Sequence, residues 1–483
     1  MYNKFERFRE IMNYMQDLRW DLFRESLSKR DISNLDTTKP IPYPASSSQK
    51  NQTSISRRTF GKIAFSVIIG AVAAYAGYSL YQGESNPGST TSSSGNTESG
   101  TKSTTTKHEY IPDPTVIKNK INILSYYLPS WGTKSDYKRS ETLTIGSDFH
   151  PILGKYKPVD EAGTYSCADS EILDWQIKWA LEHGISAFIF HYMYPGWNWE
   201  LNLENGIKSS RFLDKFKFAI NYNDTPHRTT TSNDERKTTE VMEHLCSHYF
   251  GHPSYLKIDN RPVVITFQSH IYASRFGIES LDNLIKVMRK TCEENGHEIY
   301  LIGDVMNNSW YPGINASLSR GFDAITSYNM PDAGSKFSAN EKGQNVCVDS
   351  YDKLVDGYIR LWGEWLNLAR KYKVKLVPPL LPGFSNKILY EGGYDDFLCD
   401  RKDSTQDKFR RMCEASAPYI DTELNTAITE SWNEFQEGSV IEPTLEFGFD
   451  YIDTIREIFS SESPSNYPKN LIPTQEGIVE YIK

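Results

Sequence analysis

The sequence lacks the spacing patterns that mark metal-binding and redox proteins. Its six cysteines (Cys167, Cys246, Cys292, Cys347, Cys399 and Cys413) form no CxxC pair, and no cysteine–histidine cluster has zinc-ligand spacing. We therefore expect no metal and no other cofactor. An even number of cysteines permits disulfides in an exported domain, and buried free thiols fit the same count.

Positive charge is also scarce. The chain has 53 Lys and Arg against 62 Asp and Glu, a net charge of −9 at pH 7. A nucleic-acid surface needs a basic excess, so no nucleic-acid partner is predicted. The C-terminal part, residues 108–483, contains no DxD motif, which transfer from a nucleotide sugar usually needs to hold a divalent metal.

Aromatic residues, by contrast, are abundant. Thirty Tyr, 23 Phe and 10 Trp make up 13% of the chain. Such a content fits a large hydrophobic core first, and it also fits a cleft that stacks the flat faces of sugar rings.

The N-terminal part contains one apolar, uncharged run at residues 63–80, long enough to span a bilayer as a helix. The segment before it, Ser56-Arg57-Arg58-Thr59-Phe60-Gly61-Lys62, resembles a twin-arginine export signal, but it lies far from the N-terminus. We therefore favour a signal-anchor. The positive charges before the run place the N-terminus in the cytoplasm and the large C-terminal part outside the cell membrane.

The predicted organisation has four parts. Residues 1–56 form a cytoplasmic segment that begins with an amphipathic pattern, typical of a membrane-surface or partner-binding helix or of a loose tail. Residues 57–81 form the single-pass transmembrane signal-anchor. Residues 82–107 form a flexible Ser/Thr/Gly-rich linker. Residues 108–483 form a catalytic barrel domain.

Strand-like and helix-like patterns alternate through that last part. Eight apolar runs predict strands at Ile121–Pro129, Ile185–Tyr192, Phe216–Tyr222, Arg261–Phe267, Glu298–Val305, Asp323–Asn329, Lys375–Leu381 and Asn425–Trp432. Helical periodicity lies between most of them. This alternation predicts an α/β fold, a (β/α)8 TIM-type barrel. An open doubly wound sheet is the alternative, although no GxGxxG turn follows the first strand.

Aromatic and polar residues cluster at the ends of these strands. In a barrel the carboxyl ends of the strands meet at one rim, where substrates bind. The predicted substrate-binding residues are Tyr126, Tyr127, Trp131, His191, Tyr192, Asn221, Asn223, Tyr328, Trp432 and Asn433.

Two acids follow the eighth strand three residues apart, Glu434 and Glu437. Neighbouring carboxyl groups in a partly dry cleft have pKa values that are pushed apart, so that one serves as base and the other as acid. Cleavage of a glycosidic bond needs such a pair. Two nearby acids are rivals, Glu430 inside the strand and Glu442 before a proline.

The segment WNEFQEGSVIEP, which starts at Trp432, resembles the WNEWxEGxxxEP signature of the WbsX-like proteins. These are often labelled glycosyltransferases and are related to the endo-α-mannosidases of glycoside hydrolase family 99. Weaker similarities occur in the same order at 126–132, 174–194, 252–267 and 321–329.

This resemblance implies a (β/α)8 barrel and retaining chemistry on α-mannosides. Glu434 would be the base that deprotonates the sugar 2-hydroxyl, giving a 1,2-anhydro intermediate, and Glu437 would be the acid. The endo-mannosidases have Trp-His between the two acids, whereas this chain has Phe435-Gln436. We expect a glycoside hydrolase that acts on a glycan or polysaccharide. A glycosyltransferase or transglycosylase and a non-catalytic glycan-binding protein are the alternatives.

Overall fold

The computed structural model describes residues 108–132, 149–159, 163–192, 203–222, 235–304, 321–393 and 395–482. The predicted membrane segment at 63–80, the twin-arginine-like sequence and the predicted linker lie outside these ranges. Within them, no helix combines the length and the apolar character needed to cross a bilayer. The boundaries of the four predicted parts thus stay predictions.

Eight strand positions form one parallel sheet, and each falls within one of the predicted apolar runs. They are β1 (Asn122–Tyr127), β2 (Ile185–Tyr192), β3 (Lys217–Tyr222), β4 (Arg261–Thr266), β5 (Tyr300–Asp304), β6 (Ala324–Thr326), β7 in two halves (Lys375–Leu376 and Pro379–Leu380) and β8 (Thr426–Thr429). Apart from their first residues, β1, β3 and β4 are buried throughout. Burial on both faces is the reason that these strands are near-continuous apolar runs.

The order of the strands follows the order of the chain. Each of the strands β1 to β5 pairs with the next one. The first half of β7 pairs with β6, its second half pairs with β8, and β8 pairs with β1. The pairing path therefore returns to the strand on which it starts. The parallel curled sheet, with its strands in chain order, fits the predicted TIM-type α/β fold and does not fit the doubly wound alternative, whose strand order reverses at a switch point.

Nine α-helices lie among the described residues: α1 (Ile152–Tyr156), α2 (Ser170–Glu182), α3 (Glu235–His248), α4 (Ser269–Phe276), α5 (Ile278–Glu294), α6 (Tyr351–Tyr372), α7 (Lys387–Glu391), α8 (Gln406–Ser416) and α9 (Asp450–Phe459). Three of them begin where a side-chain oxygen accepts a backbone N–H, at Asp169, Ser350 and Thr405. Such caps satisfy donors that the first turn leaves open. The sequence-predicted helices correspond to α2, α3, α5, α6 and α8.

Helix α2 is buried along its whole length. A C-terminal hairpin, Leu471–Thr474 with Gly477–Glu480, contributes to this burial, and the Trp179 indole donates a hydrogen bond to the Leu471 carbonyl at 2.8 Å. Sequence periodicity did not predict this hairpin. It allows α2 to pack on both of its sides, against the sheet and against the C-terminal segment.

A small three-stranded sheet lies outside the barrel and consists of Ser338–Ala339, Asn345–Ser350 and Phe397–Lys402. From its third strand Arg401 donates hydrogen bonds to the carbonyls of Pro331 at 2.6 Å and Ala333 at 2.9 Å. These bonds fix the segment that follows β6, and that segment begins beside the candidate site.

All six cysteines are buried free thiols. The sequence left both disulfides and buried free thiols open, and the structure has free thiols. Cys347 and Cys399 are directly opposite each other in the small sheet.

Candidate active site

Strand β8 leads into a short antiparallel hairpin formed by Asn433–Glu434 and Ser439–Val440. A 3-10 turn, Phe435–Glu437, connects its strands, and Gly438 follows with a φ of 59°. That left-handed conformation costs little for a residue without a Cβ atom. Both predicted acids therefore lie on one tight hairpin at the carboxyl end of the eighth strand.

The hairpin is anchored to the end of β1. The Asn433 side chain accepts the Leu128 N–H at 2.8 Å and donates to the Leu128 carbonyl at 3.0 Å. The Trp131 indole donates to the Asn433 carbonyl at 3.0 Å. The sequence predicted Trp131 and Asn433 as substrate-binding residues, but in the structure their polar groups position the hairpin.

Glu434 is buried, and two donors face its carboxylate. The Tyr328 hydroxyl, two residues after β6, donates to Oε2, and the Gln436 amide donates to Oε1 at 3.3 Å. Burial raises the pKa of the Glu434 carboxyl to about 8. At neutral pH this carboxyl mostly holds its proton in the free protein, and the two donors stabilise its charged form once the proton leaves.

Glu437 is half-buried at the end of the turn. The Asn329 amide donates to its Oε2 atom at 2.6 Å, and its backbone carbonyl accepts the Ser385 N–H at 2.7 Å. Two successive residues after β6, Tyr328 and Asn329, thus each bind one of the two acids. This arrangement brings the carboxyl ends of β6 and β8 together around the pair.

Three rings surround Tyr328. Tyr126, His191 and Phe267 each meet it edge to face, with centroid distances of 4.9, 4.8 and 5.1 Å. Burial lowers the pKa of His191 to about 3, so this ring is neutral, and its Nδ1 atom lies 3.3 Å from the Asn221 amide nitrogen. Four of the predicted residues, Tyr126, His191, Asn221 and Tyr328, therefore form one continuous cluster beside Glu434.

Three other predicted residues lie away from the acids. Tyr127 and Tyr192 directly follow Tyr126 and His191, and successive strand residues point to opposite faces of a sheet. The Tyr127 hydroxyl accordingly bonds helix α2, and the Tyr192 ring stacks on His244 of α3. The Trp432 ring is fully buried and packs against Phe188 of β2, with centroids 4.9 Å apart. The structure does not bring these three to the acid pair.

Asn223, also predicted, lies outside the described residues, as do the segments that follow β1, β2, β3 and β5 at 133–148, 193–202, 223–234 and 305–320. Sequence reasoning missed Asn329, Phe267 and Gln436 as site residues. The signal for the first two was that Asn329 and Phe267 are the last residues of the predicted sixth and fourth strands.

The two rival acids differ in their partners. Glu442 is buried, and its two oxygens accept hydrogen bonds from Tyr165 at 2.6 Å and Gln176 at 2.9 Å. Both oxygens therefore have structural partners, and these bonds tie the segment after the acid hairpin to α2 and to the residues that precede α2. Glu430, by contrast, is buried with no hydrogen bond to either carboxyl oxygen among the described residues.

One group of potential metal ligands occurs in the described part of the chain, His108 with Asp169 and Glu171. Lys157 forms ion pairs with both of these carboxylates, the one to Glu171 at 2.9 Å. An ammonium group thus already provides the positive charge that these acids require, and we assign no metal to them.

The hydrogen bond from Tyr328 gives a pH-dependent prediction. If Glu434 acts as a base, kcat/KM rises with pH as Glu434 loses its proton. The midpoint of this rising limb of the pH profile is set by the raised pKa of Glu434, near 8. Tyr328→Phe removes a donor that stabilises the charged form, so this limb should move to higher pH. Tyr255→Phe is the matched control, because that buried hydroxyl donates to the Val263 carbonyl at 2.9 Å and not to Glu434. The same midpoint pH for the rise of kcat/KM in Tyr328→Phe and Tyr255→Phe would contradict the prediction.

Fold and site together define a class: a TIM-type α/β protein with a carboxyl pair on the hairpin after its eighth strand. The sequence profile of the family described as "Glycosyltransferase WbsX" matches residues 154–455. The chain belongs to this WbsX family, which confirms the resemblance inferred from the WNEFQEGSVIEP segment.

Known relatives extend this comparison. The chain is 20% identical over 364 residues to "Uncharacterized protein WxcX" of Xanthomonas campestris pv. campestris, which covers 69% of this chain and 49% of that protein. This chain therefore spans about half the length of the curated relatives it matches. A solved "Glycoside hydrolase-like protein" matches with a TM-score of 0.51 at 18% identity, over 73% of this chain and 98% of that one.

A second solved structure is a family 99 endo-alpha-mannosidase from Bacteroides thetaiotaomicron. It matches with a TM-score of 0.47 at 14% identity, over 70% of this chain and 95% of that one. The first structural similarity supports the fold assignment and nothing further.

Proposed function

We propose that this protein is a carbohydrate-active enzyme, a retaining glycoside hydrolase that cleaves α-mannoside-like linkages in an extracytoplasmic glycan. The observation that carries the proposal is the pairing at the site. Glu434 and Glu437 lie on one hairpin, and successive residues after β6, Tyr328 and Asn329, each donate to one of them. Glycosidic bond cleavage requires two such carboxyl groups with different proton affinities.

In this proposal Glu434 is the base and Glu437 is the acid. Glu434 takes the proton of the sugar 2-hydroxyl, whose oxygen then attacks the anomeric carbon to give a 1,2-anhydro sugar. Glu437 gives its proton to the oxygen of the leaving sugar as the glycosidic bond breaks. Both neighbours of Glu434, Tyr328 and Gln436, are hydrogen-bond donors, which suits a group that must become or stay a carboxylate.

The extracytoplasmic location is also a proposal and rests on the apolar run at 63–80 with its preceding positive charges. Protease added to intact spheroplasts should digest the barrel domain. Full protection of the domain would contradict this topology.

Transfer of a sugar to an acceptor is the second candidate, because the family carries the description of a glycosyltransferase. The same acid pair serves that reaction if an acceptor hydroxyl replaces water at the intermediate. A nucleotide-sugar donor would require a diphosphate site, and residues 108–483 contain no DxD motif for one.

The test uses the purified full-length chain in detergent with mannose-rich glycans and aryl α-mannosides, without any nucleotide sugar. Hydrolysis with retention of the anomeric configuration, followed by NMR and strongly reduced on the glycans in Glu437→Gln, is the expected result. Turnover that requires a nucleotide sugar would favour transfer. Binding without turnover across the panel would leave a glycan-binding protein.

A further inference from the structure

Two cysteine thiols face each other in the small three-stranded sheet outside the barrel. Cys347 of its second strand and Cys399 of its third strand are directly opposite each other in the parallel register. Both are buried, whereas Val348, the residue after Cys347, is 51% exposed on the other face. Residues opposite each other point to the same face of a sheet. The two sulfur atoms are therefore neighbours, and each thiol is the group that most affects the pKa of the other.

The spacing of the backbone suits a disulfide between these two cysteines. Neighbouring strands of a sheet lie about 4.8 Å apart. The Cα atoms of disulfide-bonded cysteines lie about 4.4–6.8 Å apart. A bond between the two sulfur atoms therefore needs neither a separation of the two strands nor a shift in their register.

The two thiols differ in acidity. The adjacent Cys399 thiol and the positive charge of Arg401 lower the pKa of Cys347 against the opposing effect of burial, whereas the contact with Cys347 and burial raise the pKa of Cys399. Cys347 therefore ionises first, and a thiolate is the attacking form in disulfide exchange. The S–H of Cys399 donates to the Pro331 carbonyl at 3.2 Å and can turn from it to the thiolate. That carbonyl keeps a donor in Arg401 Nε at 2.6 Å.

We propose that Cys347 and Cys399 are an oxidation site, which closes to a disulfide by exchange with a protein or small-molecule disulfide. The Cys347 thiolate attacks one sulfur of that oxidant, and the other sulfur of the oxidant leaves as a thiolate. Cys399 then loses its proton and attacks the Cys347 sulfur, which releases the second thiolate of the oxidant. In total the two cysteines give up two protons and two electrons, and the oxidant becomes two thiols.

Closure of this pair joins the strand that carries Arg401 to the rest of the small sheet. Arg401 donates to the carbonyls of Pro331 and Ala333, in the segment whose first residues, Tyr328 and Asn329, bind the acid pair. The disulfide therefore stabilises the strand that fixes this segment. The small sheet lies outside the barrel, and both residues of its first strand are exposed. Local opening of the sheet gives an oxidant access to the thiols while the barrel core stays closed.

The test treats the purified full-length chain in detergent with oxidised glutathione, alkylates the remaining thiols after denaturation and maps the peptides. We expect a linked pair of peptides that joins Cys347 to Cys399. In Cys399→Ser a glutathione adduct should accumulate on Cys347, because the thiol that resolves it is missing. In Cys347→Ser no adduct should form on Cys399. Unmodified Cys347 and Cys399 would overturn the proposal, and so would a first bond between Cys246 of α3 and Cys292 of α5, whose thiols also adjoin each other.

Thermal unfolding measures the effect of closure on the fold. Oxidation should raise the unfolding temperature by about 2–5 °C, because the bond restricts the unfolded chain, and dithiothreitol should reverse the rise. The rise should be absent in Cys347→Ser and present in Cys413→Ser, which makes the same change at another buried thiol, in α8. A rise of the same size in Cys347→Ser would show that a different bond causes it and would contradict the proposal.

Mapping the cysteines in cells keeps this inference distinct from the proposed function. The inference rests on the proposed extracytoplasmic location only for the place where the chain meets an oxidant. Thiols that are alkylated in intact cells at harvest and then mapped should show Cys347 and Cys399 closed. A pair that closes with glutathione in the purified protein but is reduced in cells would keep the oxidation site and reject the location. A closed pair in a protein that cleaves no glycan would reject the proposed reaction instead.

Discussion

Replacing Glu437 by glutamine is expected to lower kcat by about 10²- to 10⁴-fold on a glycan whose leaving group is another sugar. A sugar alkoxide leaves poorly and needs a proton, which in the proposed mechanism comes from Glu437. On an aryl glycoside with a good leaving group the loss should be much smaller, because that oxygen departs without full protonation. Steady-state kinetics on the two substrate types measure the ratio.

Glu434→Gln provides the matched comparison, since it makes the same chemical change three residues away. A missing base hinders attack at the anomeric carbon whatever group leaves, so the loss should be similar on both substrates. The limb of kcat/KM near pH 8, set by the raised pKa of Glu434, should also disappear. The opposite pattern, with leaving-group dependence in Glu434→Gln and kcat/KM falling above pH 8, would exchange the two roles.

Strands and helices were predictable because their signals are local. Each of the eight strands is an apolar run long enough to be buried on both faces, and capping residues such as Asp169 and Ser350 mark helix starts within a few positions. The acid pair was predictable for the same reason, because both carboxyl groups lie within one turn of the chain.

The partners of the site residues were not predictable, because they depend on contacts between distant parts of the chain. Tyr126 and Tyr127 are equally plausible from sequence, yet alternation on a strand allows only one to face the barrel interior. From sequence, Asn433 is a polar residue beside an acid. In the structure its side chain is hydrogen-bonded to the backbone of Leu128, which follows β1. The face of the strand on which a residue lies and the register between neighbouring strands decide these roles. Neither can be read from a single sequence.

Trp432 provides the second large expected effect, and it concerns stability. Its ring is fully buried against Phe188, and its backbone N–H donates to the Tyr126 carbonyl at 2.7 Å. Trp432→Ala should lower the free energy of unfolding by about 3–5 kcal/mol through lost burial and the cavity left behind. Urea denaturation followed by circular dichroism measures this loss.

Binding distinguishes this structural role from the substrate-binding role that the sequence suggested. Trp432→Phe keeps enough volume for the fold to form, and its KM for the glycan should match that of the wild-type protein. Trp362→Phe, in helix α6, changes another fully buried tryptophan and serves as the control. A raised KM in Trp432→Phe with an unchanged one in Trp362→Phe would return Trp432 to the sugar cleft. Equal KM values with lowered stability would show that Trp432 packs the acid hairpin against β2 and does not bind substrate. In that role its indole affects the chemistry only by keeping Glu434 and Glu437 in position.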